Sequence, residues 1–186
     1  DAPVRGAHRA LIGKARSVGA IVSFDPNLRY PLWKSREELL ETVRAFLPLA
    51  DVVKVSEDEL FDIAGETDEG RAVAKLFAGN AELVLVTKGE RGAAAYTRSA
   101  SAHASPESAH CVDATGAGDT FIGTVLSQLL RDGVAREELS NLGDRLLSYL
   151  AYANRAAAIS VTRRGAIPSM PGFAQVFGGE KRQKKA

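Results

Sequence analysis

Apolar and polar positions along the chain fall into alternating blocks. Residues 5–18 (RGAHRALIGKARSV) carry a helical pattern, and Ala20–Phe24 (AIVSF) is a short apolar run with β-branched residues that predicts a buried strand. Asp25-Pro26-Asn27 is turn chemistry. Ser35 and Glu38 have the spacing of a capping box, opening a helix whose Leu39, Leu40, Val43, Phe46 and Leu47 share a face. Val52–Val55 predicts a second strand, and Ser56 with Glu59 a second capping box and helix. A further helix is expected over 67–78, then strands over Leu83–Thr87 (LVLVT) and Gly92–Tyr96. Residues 97–111 lack a strong period and read as a loop with a weak strand. Gly118–Leu130 predicts a helix with Phe121, Ile122, Val125, Leu126, Leu129 and Leu130 on one side. Glu137–Ala158 predicts a helix or a helix pair, and Pro168 and Pro171 are expected to end the regular structure.

Strands that are nearly continuous in apolar residues, alternating with helices, argue an α/β fold with a mostly parallel sheet and helices on both faces. No internal repeat is visible. In such sheets ligands bind outside the carboxyl ends of the strands. The unusual residues of this chain stand there: Asp25–Arg29, Ser56–Glu59 and Thr87–Gly92.

Composition narrows the function classes. The 186 residues are 45% apolar and 25% charged, which excludes collagen-like, disulfide-stapled and disordered chains. With 24 Lys+Arg against 23 Asp+Glu the net charge is +1, so nothing points to nucleic acid; the basic end EKRQKKA reads as a frayed tail over 178–186. The single Cys111 excludes an internal disulfide, and His8, His103 and His110 have no zinc-ligand spacing. No apolar run approaches the roughly 20 residues a membrane span needs, and no signal peptide opens the chain, so a cytoplasmic location is the expectation.

The segment richest in chemistry is Asp113–Phe121, DATGAGDTF. Small residues let backbone amides approach a ligand, and the start of the helix behind them favours an anion. Asp119 sits in that first turn, placed to take a proton from a hydroxyl while the amides neutralise a phosphoryl group. The alternative is a plain capped helix start. The segment is neither a P-loop nor GxGxxG, since Phe121 stands where the third glycine would be.

DATGAGDTF, a long helix and then AAAISVTRRGAIPSMP together resemble the second signature of the ribokinase-like (PfkB) carbohydrate kinases. DPNLRYPLW resembles the DxNxR segment of the fructokinase and 2-keto-3-deoxygluconate kinase branch, KVSEDEL the NxxE segment, and VTKGERGA the TxGxxG nucleotide segment. Order and spacing agree from about residue 5 to residue 171. The resemblance implies a three-layer α/β/α sandwich over 1–177 and an ATP-dependent sugar kinase most like fructokinase.

Site roles follow from the same resemblance. Asp119 would be the catalytic base, and Gly116, Ala117 and Gly118 would supply the anion hole. Ser56, Glu59, Thr87, Lys88, Gly89, Gly92 and Asn154 would bind the nucleotide, Glu59 acting through water on Mg²⁺. Arg29 would face the phosphoryl group or the sugar. Asp113, Thr115, Ser160, Arg163, Gly165 and Ser169 match positions that hold a monovalent cation, K⁺, mostly through carbonyl oxygens. Each has a bland alternative: Arg29 as a surface arginine, Glu59 as the partner of Ser56 in the capping box, Thr87-Lys88-Gly89 as an ordinary strand-end turn, Asn154 as a solvated helix residue, Asp113 as a turn cap.

Departures from the family pattern are Ser56 in place of Asn in NxxE and Ala114 in place of Thr or Ser. The family's front strands, its Gly-Gly substrate motif and its β lid, through which it dimerises, find no counterpart in these residues. The expectation is therefore a C-terminal portion that keeps the ATP half and the base and lacks most of the sugar half. Ribokinase and 2-keto-3-deoxygluconate kinase are alternative activities. The rival classes are a non-catalytic nucleotide-binding piece and a nicotinamide-dependent oxidoreductase, the latter opposed by the missing GxGxxG.

Overall fold

The computed structural model describes residues 2–178, so the expected tail lies, from residue 179 on, outside the described residues. Helix α1 (Ala2–Ser17) leads to strand β1, which covers only Ser23–Phe24 of the expected Ala20–Phe24. The shortening has a cause. The Val22 amide donates to the Asp51 carboxylate at 2.8 Å instead of joining a ladder. Helix α2 (Arg36–Phe46) and strand β2 (Val52–Ser56) follow, then α3 (Glu57–Ala64), α4 (Glu69–Leu76) and β3 (Leu83–Thr87). Strands β4 (Ala93–Tyr96) and β5 (Ser101–Ala104) precede α5 (Ala117–Arg131), α6 (Arg145–Ser160) and α7 (Phe173–Phe177).

The five strands are ordered β1-β2-β3-β4-β5 in one sheet. β1 and β2 run parallel, Ser23 opposite Val52 and Phe24 opposite Val53. Strands β3, β4 and β5 are joined through Lys88–Gly92 and Thr97–Ala100, connections too short for a crossover, so the sheet turns antiparallel there. It is parallel at its start, as expected, and mixed as a whole.

Residues up to Val86, with Tyr96–Ala100 and Ala135–Leu142, form one compact unit. In it, alternate strand positions Val53, Val55, Val84 and Val86 meet Leu40 and Val43 of α2, Leu60 of α3 and Leu76 of α4 in one core. Ser56 caps α3 with both bonds of a capping box. Ser35 makes only half of one: its hydroxyl accepts from the Glu38 amide at 3.1 Å, while the Glu38 carboxylate turns to Arg5, 3.6 Å away.

Thr87–Ala95, Ser101–Val134 and the residues from Gly143 onward form the second unit. Its centre is α5 against α6, with Phe121, Val125, Leu129, Leu146, Leu150 and Ala153 buried. The Gln128 amide donates to the Tyr149 carbonyl at 3.1 Å, and the Tyr149 hydroxyl to Asp132 at 2.6 Å. The apolar face of α5 is narrower than the sequence pattern predicts, because Leu130 points outward. The expected helix or helix pair over Glu137–Ala158 is a 3₁₀ turn, Arg136–Asn141, followed by α6. Pro168 and Pro171 do not end the regular structure. Pro168 sits in the 3₁₀ turn Ile167–Ser169, where its missing N–H costs nothing, and Pro171 precedes α7.

Candidate active site

The turn after β3 and the start of α5 line one cavity of about 680 Å³ in the second unit. That volume lies within the roughly 300–1,000 Å³ typical of small-molecule sites. Thr87, Gly89 and Gly92 come from the turn, Ala117 and Gly118 from α5, and Asn154 from α6. The turn is closed by the Lys88 amide on the Gly92 carbonyl at 2.8 Å; Lys88 itself is outside the lining. Gly92 has φ 85°, and a Cβ there would stand 2.1 Å from the Ala104 carbonyl oxygen, so only glycine lets β4 pass this close.

At the start of α5, Gly116 is the N-cap at φ 80°, ψ 3°, and it offers no side chain to the helix amides. A Cβ would press on Ala166 at 3.0 Å, a tight contact added to a left-handed backbone that L side chains rarely adopt. This tight turn folds the Ala117 amide back onto the Ala114 carbonyl, 3.2 Å away. Among the described residues the amides of Gly116, Gly118 and Asp119 donate to nothing. The Gly116, Gly118 and Asp119 amides are thus the ones left without an acceptor at this helix start. The Asp119 carboxylate lies exposed in the first helical turn.

Asp113 ties the loop before α5 to the segment after α6. Its carboxylate accepts from the Thr115 amide and from the Gly165 amide, each at 2.9 Å. The Thr115 side chain and these two amides hold its pKa down to about 2. The Val112 and Asp113 amides both donate to the Val161 carbonyl, at 2.8 and 3.1 Å. Asp113, Thr115 and Gly165 are thus brought together. The Arg163 amide bonds the Ser160 carbonyl at 3.3 Å, and the Ser160 and Ser169 hydroxyls turn onto the Ala157 and Ala166 carbonyls at 2.8 Å. Among the described residues no group of three or more His, Cys, Asp or Glu side chains is arranged to hold a metal ion. The donors on offer here are carbonyl oxygens and one carboxylate, hard ligands that fit an alkali or alkaline-earth cation.

Arg29, Ser56 and Glu59 lie in the first unit. Glu59 accepts from the Leu28 amide through one oxygen at 2.7 Å and from the Ser56 amide through the other at 2.8 Å. It is both the capping-box partner and the anchor of the Asp25–Arg29 loop. Each oxygen keeps a lone pair for a further donor. Arg29 is exposed, its guanidinium 3.4 Å from the Leu28 carbonyl. Sequence reading passed over Lys54. It is buried within β2 and pairs with Asp25 at 3.0 Å, and a lysine inside the apolar run VVKVS was the available signal.

The sequence matches the description "pfkB family carbohydrate kinase" over residues 1–172. This chain belongs to the pfkB family. Among its relatives, fructokinase-1 of Zea mays is 38% identical over 176 residues, 94% of this chain and 53% of that protein. The crystal structure of fructokinase with bound ATP from Xylella fastidiosa superposes with a TM-score of 0.82 at 33% identity, covering 89% of this chain and 53% of that one. The fructokinase from Vibrio cholerae O395 in fructose-, ADP- and calcium-bound form also gives 0.82, at 34% identity over 94% of this chain and 55% of that one. The chain spans about half the length of these relatives. The fold is ribokinase-like; in it the TxGxxG turn and the DATGAGD helix start line one cavity, and the SVTRRG segment bonds Asp113 through the Gly165 amide.

Proposed function

We propose that this pfkB chain supplies the ATP-binding half and the catalytic base of a sugar kinase acting on fructose. One observation carries the reading: a cavity of nucleotide size lined jointly by the Thr87–Gly92 turn and by the start of α5, where unpaired amides await an anion. The ATP and ADP named in the neighbouring fructokinase structures support the nucleotide, and the fructose named in one supports the acceptor.

In this reading the phosphates lie along Thr87, Gly89 and Gly92, and the transferring phosphoryl group lies over the amides of Gly116, Gly118 and Asp119. The Asp119 carboxylate removes the proton of a primary sugar hydroxyl. The freed oxygen attacks the γ-phosphorus, and the bond to the β-phosphate oxygen breaks, releasing ADP. Mg²⁺, held through water by Glu59, would neutralise phosphate charge. K⁺ at the carbonyls around Asp113, Thr115, Ser160, Arg163, Gly165 and Ser169 would order the anion-hole loop. Arg29 contributes a positive charge to the phosphoryl group or the acceptor. Among the described residues no helix is long and apolar enough to cross a membrane; a cytoplasmic enzyme, dimeric through the family's lid, completes the proposal.

The test is Asp119→Asn in the longest natural protein that carries this chain. The amide keeps the shape of the helix start but takes no proton at neutral pH. We expect kcat with ATP and fructose to fall by about 10²–10⁴-fold, with little change in KM for ATP. Retention of more than about a tenth of the rate, against that range, would make Asp119 a helix cap only.

A further inference from the structure

We infer that Tyr30 is a positioning residue: its hydroxyl, latched to Asp62, holds Arg29 in place to meet the sugar or the phosphoryl group passed to it. This rests on the reading of Arg29 proposed above and names what aims that arginine. Arg29 is exposed, and among the described residues its guanidinium makes no ion pair, only a 3.4 Å bond to the Leu28 carbonyl. Its neighbours on both sides are tied down instead. The Leu28 amide donates to Glu59 at 2.7 Å, and the Tyr30 hydroxyl donates to Asp62. Glu59 and Asp62 stand three apart in α3 and so share one of its faces. The Arg29 carbonyl accepts from the Leu32 amide at 2.9 Å, closing the 3₁₀ turn Tyr30–Leu32. At the head of the same loop Asp25 pairs with Lys54. An arginine with a fixed backbone and a free side chain thus follows the carboxyl end of β1, where ligands of such sheets bind.

The hydroxyl is more than packing requires. The Tyr30 ring already packs on the core of the first unit, and the Arg36 guanidinium lies 5.0 Å from the ring centre. Asp62 has its own cation in Arg36. A phenylalanine would keep the ring contacts, and Asp62 would stay paired. What the hydroxyl adds is a directional tie between the turn and α3. Burial and that hydrogen bond push its pKa up to about 12, so it stays a donor at neutral pH. A long side chain gives up rotamer freedom when it clasps a ligand, and a backbone fixed beforehand lowers the total cost. Without the tie, Arg29 sits on a turn held to α3 from one side only.

The experiment is a double-variant cycle in the longest natural protein that carries this chain, read as kcat/KM for fructose at saturating ATP. The variants are Tyr30→Phe, Arg29→Ala and the two combined, each checked for folding by its melting transition. We expect Tyr30→Phe to lose about tenfold, the scale of one contact misplaced in the transition state, with KM for ATP unchanged. Added to Arg29→Ala, the same change should cost nothing further, within about twofold. A hydroxyl that serves stability alone would lower the melting temperature and leave kcat/KM at the parent value, and that result would overturn the inference. So would an equal loss in the Arg29→Ala background, since the hydroxyl would then act without Arg29. If Arg29→Ala itself kept the parent kcat/KM, the reading of Arg29 would fall and the inference with it, while the roles proposed for the cavity and Asp119 would stand.

Discussion

Asp113 shows how a single side chain joins two distant parts of the sequence. Its carboxyl falls from an ordinary 3.8 to about 2, because the Thr115 side chain and the Gly165 and Thr115 amides all favour the ionised form. A depressed carboxyl stabilises the fold above pH 3.8 and gives that stability up as pH falls from there towards 2. Asp113→Asn keeps one acceptor and sets an NH₂ against an amide donor. It should therefore melt below the parent chain at neutral pH, and the gap should close over that acidic window. Thermal unfolding followed from neutral to acid pH checks this, and a gap that stays constant would show that ionisation of Asp113 contributes nothing. At this scale some of the site was legible in the sequence: Asp119 and Gly116 stand out by type and by spacing from the helix behind them. The orientation of Asn154 was not, because its partners are the carbonyls of Ala104 and Ser105, some fifty residues away. Nor was the bond of the Ala117 amide to the Ala114 carbonyl, made across the left-handed turn at Gly116.

Helix α5 carries a sharper test of what periodicity can tell. Leu129 and Leu130 both read as core in the sequence, yet they are 2% and 81% exposed. Adjacent helix residues diverge by about 100°, so a face wide enough for both exceeds what α6 covers. Leu129→Ala should cost about 2–5 kcal/mol, the range for truncating a buried leucine. Leu130→Ala should stay within about 0.5 kcal/mol, as exposed positions do. Paired urea titrations decide it, and similar costs would mean that Leu130 is covered in the folded protein. The elements that the pattern located best, Val52–Ser56 and Leu83–Thr87, are those buried over nearly their whole length. The boundaries it missed belong to polar competition that a hydropathy pattern does not carry. Asp51 draws the Val22 amide out of β1, and Arg5 draws Glu38 out of its capping box.

For the whole molecule, the decisive property is linkage between ligand and stability. A ligand that binds only the folded chain stabilises it by RT ln(1 + [L]/Kd), about 2.7 kcal/mol at about a hundred times Kd. For a chain of this size that corresponds to a rise in Tm of roughly 5–10 °C. ATP with Mg²⁺ should produce it in this 186-residue chain, because the cavity and the free amides of α5 lie within one compact unit. NAD should not: the chain has no GxGxxG turn to seat a dinucleotide pyrophosphate, and Phe121 occupies the place of its third glycine. The experiment is a melting series over nucleotide concentration, which also separates the kinase reading from the oxidoreductase one without needing turnover. A shift with NAD equal to that with ATP would sink the kinase reading of the cavity. A shift with ATP that is abolished by Gly116→Ala would support it, since an alanine there strains the left-handed N-cap and presses on Ala166 at 3.0 Å, disturbing the start of α5.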